Sequence, residues 1–429
     1  MGRARQIASN ENQDRILLDA SAASTDEGEH LLLDASASTT DVGFFINTEI
    51  GTTETPPEGF VGESSLASNA VTNTKVADGT IKAVKIDSVA QGNNINKNFI
   101  INGAMDVSQR GTSGITGIGA SSGIFLCDLW KITIGNTAGR LTQDQEAVTE
   151  ASGLTGFANC TKLSCTTADT SIAAGELMTF GQSIEGQNLQ RWKKGTGDAQ
   201  QITVSFYAKA EGGSFVFVGE LYDHDNTRNI TQKFTVTSQW KRHVLTFAAD
   251  TLAGATMDDD NAASLTFQIW MHAGTTYTGG TFADNTWTTV TQANRAAGIG
   301  SFFSSTNNKF FITGVQIEIG DTATEFQHEN HESTLESCLR YYYEEGTASH
   351  YLRTSGAAAV GDHYTDYILP KLMREAPTWT AAVGSDVSYH DAITINTKTK
   401  HVGYCDFNKT NTNASAYYSF NKVTASAEL

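Results

Sequence analysis

Asn307 to Tyr343 reads NNKFFITGVQIEIGDTATEFQHENHESTLESCLRYYY, and this stretch decides the fold. Val315, Ile317 and Ile319 alternate with Gln316 and Glu318, the period of two of a strand with one buried face. Gly314 interrupts the apolar run, which marks a bulge or a close backbone approach. A turn follows at Gly320-Asp321. Ser333 with Glu336 three residues on reads as a capping box opening a short helix. Leu335, Cys338, Leu339 and Tyr342 then share one helical face. A β module therefore closes here, and a helix leads into a further unit.

Working outward, the stretch before it is strand after strand. Ile202, Val204 and Phe206 alternate with Thr203, Ser205 and Tyr207, and Phe215, Phe217 and Leu221 belong to the next strand. Phe234 with Val236 marks another, and Trp240 opens one carrying Leu245 and Phe247. Leu265, Phe267, Ile269 and Met271 alternate with Ser264, Thr266, Gln268 and Trp270. Such alternation predicts antiparallel sheets stacked as a sandwich over residues 93–327, followed by the helix over 328–345. Residues 346–429 read as a second, smaller β unit. In it Ile393, Ile395, Val402 and Tyr404 flank a hairpin at Thr397–Lys400, and Tyr417, Tyr418, Phe420 and Val423 form the last strand. That unit is small for a lone core.

Composition agrees with an all-β chain: of 429 residues 39 are Gly, only 4 are Pro, and 39% are apolar. The net charge of −18 excludes nucleic acid as a partner, since nothing here would neutralise a run of phosphates. No apolar run is long enough for a transmembrane helix, so membrane insertion is not expected. MGRARQIASNENQDR lacks the apolar core of a secretory signal, and Gln6 stands where an acylation motif wants Ser or Thr. The five cysteines, Cys127, Cys160, Cys165, Cys338 and Cys405, have no framework spacing and read as reduced thiols of a chain assembled in a cytoplasm.

The N-terminal part is organised differently. Ile16-Leu17-Leu18-Asp19-Ala20-Ser21-Ala22 returns as Leu31-Leu32-Leu33-Asp34-Ala35-Ser36-Ala37, a repeat of 15 residues. Residues 1–62 carry three basic against eleven acidic residues, a net charge of −8. Two short strands make no core of their own. The segment reads as an attachment segment that docks through Leu17, Leu18, Leu32 and Leu33, with a partly disordered leader as the competing reading. Over residues 63–92, Leu66, Val71, Val76, Ile81 and Ile86 recur every five residues. Five residues turn a helix by about 140° and flip faces along a strand, so neither element explains them. A fibrous winding of several chains does, and a flexible polar linker is the alternative.

Three segments carry a resemblance. FFITGVQIEIGDTATEF with LESCLRYYY shortly after, NFIINGAMDVSQRG from Asn98 to Gly111, and the terminal Ala425-Ser426-Ala427-Glu428-Leu429 resemble bacteriophage tail fibre and tail-associated virion proteins. The resemblance spans residues from about Asn98 to the end. It implies a homotrimer wound at residues 63–92, exposed on the particle, with residues 1–62 bound to another tail or capsid-connected protein. The strand order over residues 93–327 resembles a jelly roll of the carbohydrate-binding-module type, a fold also reused as plain scaffold.

No catalytic constellation, metal site or cofactor is expected. His328-Glu329-Asn330-His331-Glu332 lacks the i, i+4 histidine spacing of a metalloprotease and reads as a polar turn. Asp258-Asp259-Asp260-Asn261 lacks the alternating ligands of a calcium loop. Asp223-His224-Asp225 places two carboxylates together, as glycoside hydrolysis requires, but follows a strand as a hairpin turn does. The stronger signal is aromatic residues on polar faces: Trp270 beside Thr266 and Gln268, Tyr207 beside Thr203 and Ser205, and Tyr277 and Trp287 in the loop from Ala273 to Thr291. Flat rings with polar rims suit a sugar, whereas cover by a neighbouring subunit is the competing reading. Trp130 and Trp240 are assigned to the core. These features predict a non-enzymatic virion fibre that contacts host surface polysaccharide. A purely structural fibre is the alternative, and a depolymerising tailspike is disfavoured by the lack of a β-helix repeat.

Overall fold

The computed structural model describes residues 98–119, 123–345, 350–354, 361–388, 390–409 and 416–429. The repeat of residues 1–62, with Leu17, Leu18, Leu32 and Leu33, lies outside the described residues. So does the winding segment, with Leu66, Val71, Val76, Ile81 and Ile86.

Thirteen strands form the sandwich: β1 (Ile115–Ile118), β2 (Ile124–Phe125), β3 (Lys131–Gly135), β4 (Arg140–Ala147), β5 (Asn159–Thr167), β6 (Leu177–Glu185), β7 (Ile202–Glu211), β8 (Phe215–Asp223), β9 (Arg228–Val236), β10 (Lys241–Phe247), β11 (Ala263–Ala273), β12 (Thr288–Thr289) and β13 (Lys309–Ile319). They make a six-stranded sheet in the order β1-β4-β5-β13-β7-β10 and a seven-stranded sheet in the order β12-β9-β8-β11-β6-β3-β2. Neighbouring strands in both sheets run antiparallel. The chain crosses repeatedly between sheets, so each is stitched from distant parts of the sequence.

The period of two predicts the core well. Ile202, Val204 and Phe206 of β7 meet Leu265, Phe267 and Ile269 of β11 and Phe217 and Leu221 of β8 in one buried cluster. Phe206 packs with its ring centroid 5.1 Å from Phe234 and 6.2 Å from Phe267. Burying side chains of this size stabilises by about 2 kcal/mol each. Val315 and Ile317 of β13 join the same cluster, with Ile319 against its edge. Gln316 and Glu318 take the other face, as expected, but that face is covered too. Residues 320–327 lie over it: Gln316 Oε1 accepts from the Gln327 amide at 2.9 Å, and Glu318 Oε2 accepts from the Thr324 amide at 3.0 Å. Gly314 has φ +62°, and the register with β7 shifts between Thr313 and Gln316. A Cβ here would stand 2.6 Å from the Phe157 ring, so glycine is required for both the bulge and the packing.

Three local expectations are corrected. The helix runs His331–Cys338, and its cap is Asn330, whose Oδ1 accepts from the Ser333 amide at 2.8 Å. Ser333 is therefore the capped residue and not the cap, because the chain enters the first turn three residues earlier. Tyr342 lies beyond the helix in a strand; Tyr341, not Tyr342, joins Cys338 in the buried cluster with Val107 and Leu129. Trp240 is half-buried on the outside of the six-stranded sheet, 6.4 Å from Phe311, whereas Trp130 is fully buried against Phe180. Trp240 lies just before β10, where the alternation that places Leu245 inside is not yet established.

The C-terminal unit contains β14 (Tyr342–Glu345), β15 (His350–Thr354), β16 (Gly361–Ile368), β17 (Thr378–Ser388), β18 (His390–Thr397), β19 (Val402–Lys409) and β20 (Ala416–Ser426). β20 pairs with β14, β15 and β17, and β16-β19-β18 form a second sheet. Between them lies a small core in which Tyr367 and Trp379 pack beside Cys405 and Val423. This unit joins the sandwich through side chains from residues 98–111, 335–343 and 425–429. Arg110 reaches Glu428 at 2.6 Å and lies 3.4 Å from the Tyr342 ring centroid. Gln109 donates to the Tyr342 carbonyl at 2.8 Å and to Asp128. Arg340 binds Glu185 through both nitrogens, at 2.8 and 2.6 Å, and the Tyr341 hydroxyl donates to the same carboxylate. Arg374 donates to the Ala427 and Asn261 carbonyls.

Candidate functional site

The four aromatic residues expected to form a platform fall in three separate places. Trp270 lies on the outward face of β11, as its parity requires, but only 2% of it is exposed. The segment after β11, which opens with the one-turn helix α1 (Thr275–Thr278), folds back over it. Trp270 packs with Val218, Ala273 and Ala296, its ring 5.1 Å from that of Tyr277. Its indole N–H donates to Glu220 at 2.7 Å. Trp270 and Tyr277 are thus brought together, but as the core of a cover and not as an open ring pair. Tyr207 is half-buried on the outer side of the opposite sheet, 5.3 Å from Phe157. Trp287 donates to the Ala248 carbonyl at 2.7 Å and stacks 4.8 Å under the Lys194 ammonium. The cover comes from this chain itself, through the loop from Ala273 to Thr291 that the sequence leaves as a separate excursion.

Beside the cover, the adjoining part of the seven-stranded sheet is half-buried, and the chain end reaches its edge, where Lys131 Nζ donates to the Leu429 carbonyl at 3.1 Å. Registers place Tyr222 of β8 opposite Thr266 of β11, and Thr266 opposite Ser183 of β6. On the next line Glu220 stands opposite Gln268, Gln268 opposite Gly181, and Gly181 opposite Lys131 of β3. A Cβ on Gly181 would meet the Phe267 carbonyl at 2.2 Å, so the floor is flat by necessity at this point. Ser183 and Thr266 share a hydrogen bond of 2.8 Å, and His224 Nε2 meets the same Thr266 hydroxyl at 2.8 Å. The His224 ring stands edge-on to Tyr222 at 4.7 Å. Burial holds the imidazole below its ordinary pKa.

On the same face, under the cover, lies a buried carboxylate that fixes the strip. Glu220 is fully buried and accepts from Asn229 at 2.7 Å, Gln268 at 2.6 Å, Trp270 at 2.7 Å and both Arg295 Nε and Nη2 at 2.9 Å. A buried charge is stable only when so satisfied. The Arg295 guanidinium is held between two rings, 4.8 Å from Tyr222 and 4.8 Å from Trp270. Tyr222, Thr266, Gln268, Ser183 and Arg295 therefore form a rigid strip with an aromatic body and fixed hydrogen-bonding groups. Such a strip can hold a ring that has one apolar face and a rim of hydroxyls. Sequence reading missed Tyr222 and Arg295. Tyr222 is visible in retrospect, since it shares the parity of Glu220, whereas Leu221 and Phe217 take the core.

The carboxylates of the Asp223-His224-Asp225 turn are engaged in the fold. Asp223 is fully buried, 2.6 Å from the equally buried Lys194 ammonium, which also lies 2.9 Å from Asp250. Asp223 Oδ1 accepts from the Asn226 amide at 3.0 Å, closing the hairpin, and Asp225 accepts from the Asp258 amide at 2.9 Å. His328 of the HENHE run packs in an aromatic group, 5.1 Å from Phe157 and 4.8 Å from Phe326.

No known family model matches the sequence, and no curated protein matches it. Among solved structures the chain is similar to a carbohydrate-binding module, CBM4, at 15% identity over 51% of this chain and 97% of that one, with a TM-score of 0.26. It is similar to the family 11 carbohydrate-binding module of a Clostridium thermocellum cellulosomal cellulase at 12% identity, over 49% and 100% of the two chains, with a TM-score of 0.24. The enzymatically active domain of bacteriophage CBA120 tailspike protein 4 matches at 11% identity over 52% of this chain and 21% of that one, with a TM-score of 0.26. Likeness at this level identifies neither a family nor a ligand. The all-β sandwich rests on the strand registers above.

Proposed function

We propose that this chain is a non-enzymatic bacteriophage virion protein, a homotrimeric tail fibre or tail-tip component, that holds host surface polysaccharide on the half-buried Tyr222 strip of the seven-stranded sheet. The glycan part is supported by one observation: Tyr222 stands beside Thr266, Gln268 and Ser183, and Arg295 is locked in place by Glu220. The virion part is supported by the sequence likeness of the three segments that converge on the junction between sandwich and C-terminal unit. Assembly in the host cytoplasm, display on the particle and attachment through residues 1–62 belong to the same proposal.

The test is adsorption of the full chain to host cells with and without their surface polysaccharide. Wild type is expected to adsorb only when the polysaccharide is present, and Tyr222→Ala with Gln268→Ala is expected to lose most of that adsorption. Equal adsorption by the two proteins contradicts the assignment of this strip. A second reading, a purely structural fibre, is favoured by the cover over Trp270. It predicts no polysaccharide-dependent adsorption by a folded chain. The non-enzymatic reading fails if the folded chain releases reducing ends from that polysaccharide.

A further inference from the structure

The outer face of the sheet β16-β19-β18 carries chemistry that the strip on the sandwich does not use. Register places Tyr364 opposite Asp406 and Asp366 opposite Tyr404. It places Asp406 opposite Thr394 and Tyr404 opposite Asn396. Tyr367 and Cys405, at the alternate positions, pack into the small core, so Tyr364 and Tyr404 point away from it. Their ring centroids are 6.1 Å apart and tilted by 57°. Tyr364 is 63% exposed. β16 is an edge strand of its sheet.

Carboxylates predominate around the rings on this face. Asp362, Asp366 and Asp406 alternate with the tyrosines. The Lys398 ammonium neutralises Asp366 at 2.9 Å, on the Tyr404 side, which leaves Asp362 and Asp406 as the carboxylates that face Tyr364. Asp406 first, and Asp362 after it, raise the pKa of the Tyr364 phenol, the sign of a negative potential at that ring. Two aromatic faces in a negative potential attract a cation and repel acidic sugars.

We infer that the Tyr364–Tyr404 face of the C-terminal unit is a second glycan site, selective for saccharide units that carry a protonated amine. This rests on the reading of the chain as a glycan-binding protein. In it the amine sits between the rings and the Asp362 and Asp406 carboxylates, and Asn396 and Thr394 meet the neighbouring hydroxyls.

The experiment is titration of the full chain with glucosamine tetramer, with N-acetylglucosamine tetramer as the uncharged match. Wild type is expected to bind the amine-bearing tetramer at least tenfold tighter than the acetylated one. That preference is expected to fall with added salt and with pH raised through the amine's titration. Asp362→Asn with Asp406→Asn, which keeps shape, and Tyr364→Ala, which removes an exposed ring, are each expected to cost at least tenfold. Equal binding of the two tetramers, or unchanged binding by both variants, overturns the inference. Extracted host polysaccharide, titrated in the same preparation, separates the two readings. If it binds with no preference for the amine, the tip assignment alone fails. If the glucosamine tetramer binds and the polysaccharide does not, the sandwich strip fails and the tip site stands.

Discussion

His243 stands inside the sandwich with its ring 5.3 Å from Phe206 and 5.2 Å from Phe234, and its Nε2 has no hydrogen-bond partner. Burial lowers its pKa from 6.5 to about 4. The unfolded chain therefore takes up this proton before the folded one does. His243 leaves stability untouched above pH 6.5 and lowers it as pH falls towards about 4. The urea midpoint is expected to drop over that window in wild type and to drop less in His243→Phe. An identical drop in both places the acid sensitivity elsewhere. Trp270 and Tyr222 make a second contrast at this scale. Trp270→Ala opens a cavity and strips a donor from Glu220, a loss of about 3–5 kcal/mol. Tyr222→Ala removes a half-buried ring and is expected to change stability by about 1 kcal/mol or less. Chemical denaturation of both variants checks the pair. Aromatic residues on a polar face are thus not interchangeable, and which one is covered is decided by where the 274–300 segment lies.

That segment marks the limit of what the sequence reveals at the scale of elements. Strand parity is legible in β7, where Ile202, Val204 and Phe206 face in and Thr203, Ser205 and Tyr207 face out, and less so in β8 and β13, where Val218 and Phe311 are apolar residues on outward faces. The bulge at Gly314 is legible because a glycine interrupts an apolar run there; a Cβ would stand 2.6 Å from the Phe157 ring. The cover over Trp270 is not, since Ala273 to Gly300 has no periodicity and its packing is set by Arg295 reaching Glu220, 75 residues earlier in the chain. The strap over Gln316 and Glu318 is hidden for the same reason: it is held by hydrogen bonds to a face whose composition reads as wet. Two substitutions test the elements. Gly314→Ala forces an L residue into the left-handed region against Phe157 and is expected to cost at least about 1 kcal/mol. Asn330→Ala removes the helix cap and is expected to cost about 0.5–2 kcal/mol. Thermal melts of the two variants decide both.

For the molecule as a whole, the sandwich and the C-terminal unit are tied by buried and half-buried ionic contacts and by an apolar cluster of Val107, Leu129, Cys338 and Tyr341. Glu185 is the clearest: burial pushes its carboxyl up, but Arg340 and Tyr341 outweigh this and hold it below its ordinary value. Arg340→Ala leaves that buried carboxylate short of its two charged bonds and is expected to loosen the C-terminal unit first. Limited proteolysis is then expected to cut between 346 and 429 while the sandwich persists; simultaneous loss of both units contradicts this picture. Gln109, Arg110, Tyr342 and Glu428, far apart in sequence, meet at this junction. The central claim is that the Tyr222 strip, and not the Trp270 region, is the polysaccharide surface of the sandwich. The most direct measurement is calorimetric titration of purified host polysaccharide into the full chain and into folded Tyr222→Ala. Heat of binding in wild type and at least a tenfold weaker response in the variant is the predicted result. Equal affinity in the two, with the fold intact, contradicts the account.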